Sequence, residues 1–378
     1  MRQIILSNLH TKENIDFLLD YIKKLITRIK IDNIVINGNI LGINEIRKGY
    51  GYGYNKNDFH FTLKKDELFR EAAQDSYENI KKIISMYKQG ELIDDSRQEI
   101  LGKHISEYMN TRYDYVVETL KRFSKIKKTY FNMGKYESPL NYLVLKEVSF
   151  LLDVSFPMIK KSILYTSFRD VYKTFKEKIK ELEGKDFRYI AGKPIIEKGY
   201  ILAGIPGLNS SSVPTDKSAE LQENQTKDLL NSIKRHFSYS KKLILYNTVE
   251  GRMTKNPFTF RPGSAAIRKF IQETKDKLKM KLFIQSYYNW VSTHFYKRDD
   301  FHFLLNNSAA NNGLFNILDI AKKIRCFDVD SKKNKIRELK SYNSYIADYS
   351  TPKQRLSLNY KNPEEIIKQR NLKECFYL

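Results

Sequence analysis

The sequence predicts an α/β fold, and three observations carry that prediction. A strand–helix–strand unit opens the chain, strand and helix patterns alternate again over residues 200–285, and a polar cluster follows each predicted strand. In open α/β sheets such strand ends are where ligand-binding residues collect.

Residues 2–7 (Arg-Gln-Ile-Ile-Leu-Ser) form a short apolar run that reads as a buried strand. Over residues 13–30, Ile15, Leu18, Leu19, Ile22, Leu25, Ile26 and Ile29 recur at the spacing of one helix face. Residues 32–37 (Asp-Asn-Ile-Val-Ile-Asn) give a second buried strand. A helix between two strands makes a βαβ unit, which pairs the strands in parallel. Residues 46–110 read as an insertion, with Gly/Tyr alternation over Lys48–Tyr54, a helix over 64–89 and another over 95–109. A separate helix over 112–125 then precedes a strand, Lys128–Met133. A second helical insertion covers about 139–185, broken at Phe156-Pro157. Strand signals return over 187–203, and Asn209–Lys217 reads as a linker or mobile loop. Next come a helix (218–238), a strand (Lys242–Tyr246), a helix from Gly263-Ser264 to about Lys279, and a strand (Lys281–Gln285). Phe301–Leu305 and Leu314–Ile320 read as paired strands around Asn306–Gly313. The expected organisation is one domain over 1–330 and a polar, partly ordered extension over 331–378.

The 378 residues are 41% hydrophobic, enough for a large core. No run reaches the roughly 18–20 apolar residues of a spanning helix, and the first ten residues are too short for a secretory signal. A cytoplasmic location and no membrane association are the expectations. Cys326 and Cys375 are too few for a disulfide framework. The net charge of +23 suits a polyanion such as nucleic acid, although the lysines are spread along the whole chain, as a Lys-, Asn- and Ile-rich composition produces by itself.

The strand ends read Ser7-Asn8-Leu9-His10, Asn37-Gly38-Asn39, Asn132-Met133-Gly134-Lys135-Tyr136-Glu137, Tyr246-Asn247-Thr248 and Ser286-Tyr287-Tyr288-Asn289, with Phe303-Leu-Leu-Asn-Asn-Ser to Ile320 closing the series. In order and spacing they resemble the metal-binding motifs of the calcineurin-like metallophosphoesterase superfamily. The resemblance covers about residues 2–45, 112–140 and 199–322. It implies a four-layer α/β/β/α sandwich of two mixed sheets. Family members clamp a phosphate between two divalent cations roughly 3.5–4 Å apart, held by carboxylates, imidazoles and an Asn carbonyl.

Here most of those ligands are replaced. Asn8 stands where the first Asp ligand belongs, and His10 is retained. Asn39 replaces the bridging Asp. Lys135 takes the place of the Asn ligand and Tyr136 that of the catalytic His. Asn247 takes the place of a ligand His, and Tyr287 and Asn289 take the two His positions of the last motif. Glu137 is retained, in the family mainly as a structural acid. The changes remove two negative charges and add one positive charge. Even at an effective dielectric of ~20, a unit charge ~4 Å from a dication costs several kcal/mol. The resemblance therefore implies a degenerate, catalytically inactive member with no cofactor, acting as a binding or scaffold protein with a protein partner on its helical insertions. The alternatives are a divergent metal-dependent phosphoesterase, using Mn, Fe or Zn at His10 with added ligands such as Asp58 or His60, and a basic, metal-independent nucleic-acid binder.

Overall fold

The computed structural model describes residues 1–9, 12–41, 94–134, 137, 161–207, 216–248, 264–274, 276–286, 294–298, 301–306, 310, 313–321, 323–339 and 342–343, with isolated positions between 78 and 89. The opening unit is β1 (Arg2–Leu6), α1 (Lys12–Arg28) and β2 (Asn33–Asn37), with β1 and β2 parallel as expected. The chain continues through α2 (Asp95–Ile126), β3 (Thr129–Asn132), α3 (Lys161–Leu182), β4 (Phe187–Tyr189), β5 (Ile195–Glu197) and β6 (Tyr200–Ile205). It then forms α4 (Asp216–Arg235), β7 (Lys242–Asn247), α5 (Ala265–Glu273), β8 (Met280–Ser286), β9 (His294–Arg298) and β10 (Phe301–Asn306). The last described elements are β11 (Leu314–Ile320), β12 (Ile324–Asp330), β13 (Lys335–Leu339) and β14 (Tyr342–Asn343).

Two seven-stranded mixed sheets result, ordered β13-β12-β11-β1-β2-β3-β4 and β14-β9-β10-β8-β7-β6-β5. Their core is in three layers. Successive strand residues point to opposite faces, so Ile4 and Leu6 meet Leu18, Ile22, Val116 and Phe175 of the helices, while Ile5 meets the other sheet. On the second sheet, Ala203, Leu245 and Phe283 pack under Leu230, Ile233, Ile267 and Phe270 of α4 and α5. Between the sheets, Ile5, Val35 and Leu318 pack on Leu202, Ile244 and Ile284. This is the four-layer α/β/β/α sandwich, and it explains why the strands read as continuous apolar runs: both of their faces are covered. Each fully buried Leu or Ile contributes about 1.5–3 kcal/mol.

Several sequence expectations change. The helices expected at 95–109 and 112–125 are one helix, α2, capped by the Asp94 side chain on the Arg97 N–H. No Gly or Pro separates the two halves, and Thr111 returns its hydroxyl to the Glu107 carbonyl within the helix. The boundary expected at 110 thus falls inside α2. Phe301–Leu305 and Leu314–Ile320 do not pair: β10 pairs with β8 and β9, whereas β11 pairs with β1 and β12. The connection crosses from one sheet to the other, which a periodicity of two cannot reveal. The extension expected from 331 begins with two strands, β13 on β12 and β14 on β9. As an edge strand, β13 buries Leu339 and exposes Lys335, Ile336 and Glu338, so its sequence reads as polar. The Lys48–Tyr54 segment, most of the helix expected at 64–89, all of 139–160 and the 344–378 segment lie outside the described residues. Among the described residues no helix is long and apolar enough to cross a membrane.

A polar contact lies within the inter-sheet core. The Tyr246 hydroxyl donates to Gln3 Oε1 at 2.8 Å, while Gln3 Nε2 is buried without a partner. Tyr246→Phe would leave both ends of that amide unsatisfied. It is expected to cost about 1–3 kcal/mol, read as a lower urea midpoint at unchanged m. An unchanged midpoint would show that the bond contributes nothing.

Candidate functional site: an amide-lined end of the sandwich

The C-terminal ends of β1, β2 and β3 meet those of β6, β7 and β8 at one end of the sandwich. Two turns here take left-handed backbone: Asn8 at φ 58°, Gly38 at φ 84° and Asn39 at φ 52°. Asn tolerates this region better than most residues, and Gly does so freely. Gly38 also permits a close approach, since a Cβ there would lie 2.6 Å from Thr248 Cγ2. The two turns are joined by backbone bonds from Asn8 N to Gly38 O (3.3 Å) and from Leu9 N to Asn39 O (2.9 Å).

That geometry brings two of the predicted residues together. Asn39 Nδ2 donates to Asn8 Oδ1 at 2.7 Å. Where a metal centre of the resembled kind would place two carboxylates, this chain has an amide donor facing an amide acceptor. The pair is neutral, so it does not supply the negative charge that would offset two dications. Among the described residues, no group of three or more His, Cys, Asp and Glu side chains could hold a metal ion.

Glu137 is fully buried beneath the same turns. Its Oε2 accepts from Gly134 N (2.8 Å) and Asn39 N (3.2 Å), and its Oε1 accepts from Leu41 N (2.8 Å). The Tyr113 hydroxyl donates to its backbone carbonyl at 3.1 Å. Burial pushes the carboxyl up to about 7, against the lowering effect of the backbone N–H groups of Leu41, Gly134, Asn39 and Ile40. Glu137 is thus an internal acceptor that shapes the β2 turn. Gly134 must be Gly here: a Cβ would lie 2.3 Å from both Asn39 N and Asn39 Oδ1.

A second polar layer ties the sheets together. Asn132 Nδ2 donates to Asn37 Oδ1 at 2.8 Å and reaches the Ile205 and Tyr246 carbonyls at 3.2 and 3.3 Å. Asn37 Nδ2 donates to Ser286 Oγ at 2.7 Å and reaches the Asn247 and Ile284 carbonyls at 3.4 Å. Ser7 Oγ donates to Ser286 Oγ at 2.6 Å, and Thr248 Oγ1 donates to the Met133 carbonyl at 2.7 Å. Asn132 Oδ1 has no hydrogen-bond partner; it faces Gly204, where a Cβ would lie 2.4 Å away. A weak Cα–H···O contact is what that approach permits.

Of the predicted positions, Asn8 and Asn39 are paired. Asn247 is fully buried at the end of β7, with its backbone carbonyl facing Asn37 Nδ2. His10, Lys135, Tyr136, Tyr287 and Asn289 lie outside the described residues, as do Asp58 and His60. Sequence reasoning missed Asn37, Asn132, Ser7 and Ser286 as site-forming side chains. The available signal was a polar residue closing each apolar strand, one to three positions before the residues singled out.

No protein-family model matches this chain, and no curated protein matches it in sequence. Among solved structures it is similar to GAP50, the anchor in the inner membrane complex of Plasmodium, at 12% identity and a TM-score of 0.39, over 95% of this chain and 94% of that one. It is similar to the sulfate thiohydrolase SoxB of Thermus thermophilus, solved with glycerol, at 9% identity and a TM-score of 0.31, over 61% of this chain and 43% of that one. Likenesses of this size assign neither a family nor a function.

Proposed function

We propose that this chain is a degenerate calcineurin-like metallophosphoesterase that binds a partner as a scaffold and hydrolyses no phosphoester. The order of its strand-end motifs supports the descent, and the two-sheet sandwich is the architecture that descent implies. The observation that carries the loss of activity is the bond from Asn39 Nδ2 to Asn8 Oδ1. It satisfies with neutral amides the place where a metal centre needs carboxylates. The Asn37–Asn132–Ser286 network then ties the two sheets together.

The test is metal analysis of the purified protein together with a phosphodiesterase assay in added Mn²⁺. The expected result is no stoichiometric Mn, Fe or Zn and no turnover. Metal-dependent cleavage that disappears in His10→Ala would overturn the reading in favour of a divergent phosphoesterase.

A further inference from the structure

The opposite end of the sandwich has a different character. The parallel strands of both sheets begin there, as two ion pairs between the sheets show: Lys128 with Glu197 at 2.7 Å and Lys198 with Asp32 at 2.6 Å. Lys185, Arg188, Lys241, Lys242, Lys279 and Lys323 are all exposed at or beside these strand starts. Of the carboxylates at this end, Asp32 and Glu197 are held in those ion pairs, and Asp319 is bound by Arg2 and Arg325. Asp186 and Asp276 are exposed there too, outnumbered by the cations. At the other end, the described residues directly after β1, β2, β3, β6 and β7 include no Lys or Arg, and the exposed lysines there are Lys12 at the start of α1 and Lys332, Lys333 and Lys335 where β12 turns into β13. The lysines are spread along the sequence, but the parallel topology gathers many of them at one end.

An aromatic ring lies in this basic row. Tyr239 is 73% exposed, two residues before Lys241. Ser240 donates its hydroxyl to the Gly199 carbonyl, which fixes this turn beside the start of β6. Lys279 N donates to the Lys241 carbonyl at 2.8 Å, which sets the two lysines on adjacent strands. Neighbouring strands are about 4.8 Å apart, so Lys241 and Lys279 stand side by side at the strand starts with Tyr239 beside them, and Lys198, paired with Asp32, ends the row.

We propose that this strand-start end is a docking surface for a single-stranded nucleic acid, with the lysine row on its phosphates and Tyr239 stacked on a base. Lysines engage phosphates as point charges and carry no sequence information. A single exposed ring adds sequence-tolerant stacking. A ring beside a row of cations suits a strand of bases; a lipid surface would call for several aliphatic groups to insert, and the large aliphatic side chain exposed at this end among the described residues is Ile196. This surface is separate from the amide site and does not depend on how that site functions.

The experiment is fluorescence anisotropy of labelled oligo(dT) with the full chain over a salt series. The expected result is binding whose log affinity falls linearly with log salt. The Lys241→Glu/Lys242→Glu/Lys279→Glu variant is expected to bind at least about tenfold more weakly. Lys12→Glu/Lys23→Glu/Lys24→Glu on exposed positions of α1 changes the net charge equally and is expected to stay within about twofold of wild type. Tyr239→Ala is expected to weaken binding by about fivefold or more, and it keeps the test open should the triple variant fail to fold by circular dichroism. Equal losses in the two triple variants, an unchanged Tyr239→Ala variant, or capture by phosphatidylserine vesicles without oligonucleotide binding would each overturn the proposal.

Discussion

Glu137→Ala is expected to destabilise the protein by about 3–5 kcal/mol, because an unsatisfied buried donor costs roughly 1–3 kcal/mol. Three backbone N–H groups, those of Asn39, Leu41 and Gly134, would lose their acceptor at once in a buried site. Entry of water would recover part of the loss, which is why the expected cost is below the sum of three. Urea unfolding measures it, and a loss under about 1 kcal/mol would mean that the turn finds other acceptors. The pH dependence follows from the direction of the shift. The folded carboxyl lies at about 7 against an ordinary 4.5, raised chiefly by burial. The folded state therefore holds this proton more tightly than the unfolded chain. Its contribution to stability is complete below about pH 4.5 and declines as the pH rises to about 7. The loss amounts to ~3 kcal/mol, at 1.36 kcal/mol per unit. Asp32 and Asp319 titrate in the opposite direction: burial alone would raise them, but hydrogen bonds from Lys198 and Arg2, and from Arg2 and Arg325, hold them low. The contribution of Glu137 is thus best read as the difference between wild type and Glu137→Gln. A difference that is flat across pH 4.5–7 would show that the Glu137 carboxyl is not raised.

The double variant Asn8→Asp/Asn39→Asp should lose several kcal/mol at pH 8 and much less at pH 5. The wild-type amides meet at 2.7 Å through one N–H donor. Two carboxylates at that separation have no donor between them, and at an effective dielectric of ~20 they repel by about 6 kcal/mol. Below neutral pH one proton shared between them restores the contact, so the pair titrates as a unit with one raised value. A raised carboxyl means stability lost as the pH rises. The single variant Asn8→Asp is the control, because Asn39 Nδ2 still donates to it and the bond becomes charge-assisted. It should be at least as stable as wild type. If the double variant matched Asn8→Asp at pH 8, the amide pair would not be what holds these turns together.

Much of the layered fold was legible in the chain. The apolar spacing from Ile15 to Ile29 gives α1, and its predicted inner face is the buried one: Ile15, Leu18, Leu19, Ile22 and Leu25. The runs at 2–7 and 32–37 give β1 and β2, because strands covered on both faces have no polar alternation to obscure them. Less legible were the edge strands. β13 needs only one buried position in five, so polarity alone reads it as tail. The partners of β10 and β11 were not legible at all: the residues between them are few, yet the strands belong to different sheets.

The site divides in the same way. From the sequence by itself come the element order, the polar residue closing each buried strand, and the amides Asn8 and Asn39 at two of those strand ends. Those are local properties, fixed by residue identity and by periods of two and 3.6. The tertiary structure decided which side chains meet. Asn37 reaches Ser286 and Asn132 reaches the Tyr246 carbonyl across separations of 249 and 114 residues. Glu137 becomes a buried acceptor only because the turn of β2 folds over it. The lysines become one basic end only because the parallel strands of both sheets start on the same side. Burial removes water as a partner, so each polar group must find another in the protein, and only the packed chain determines which one is within reach.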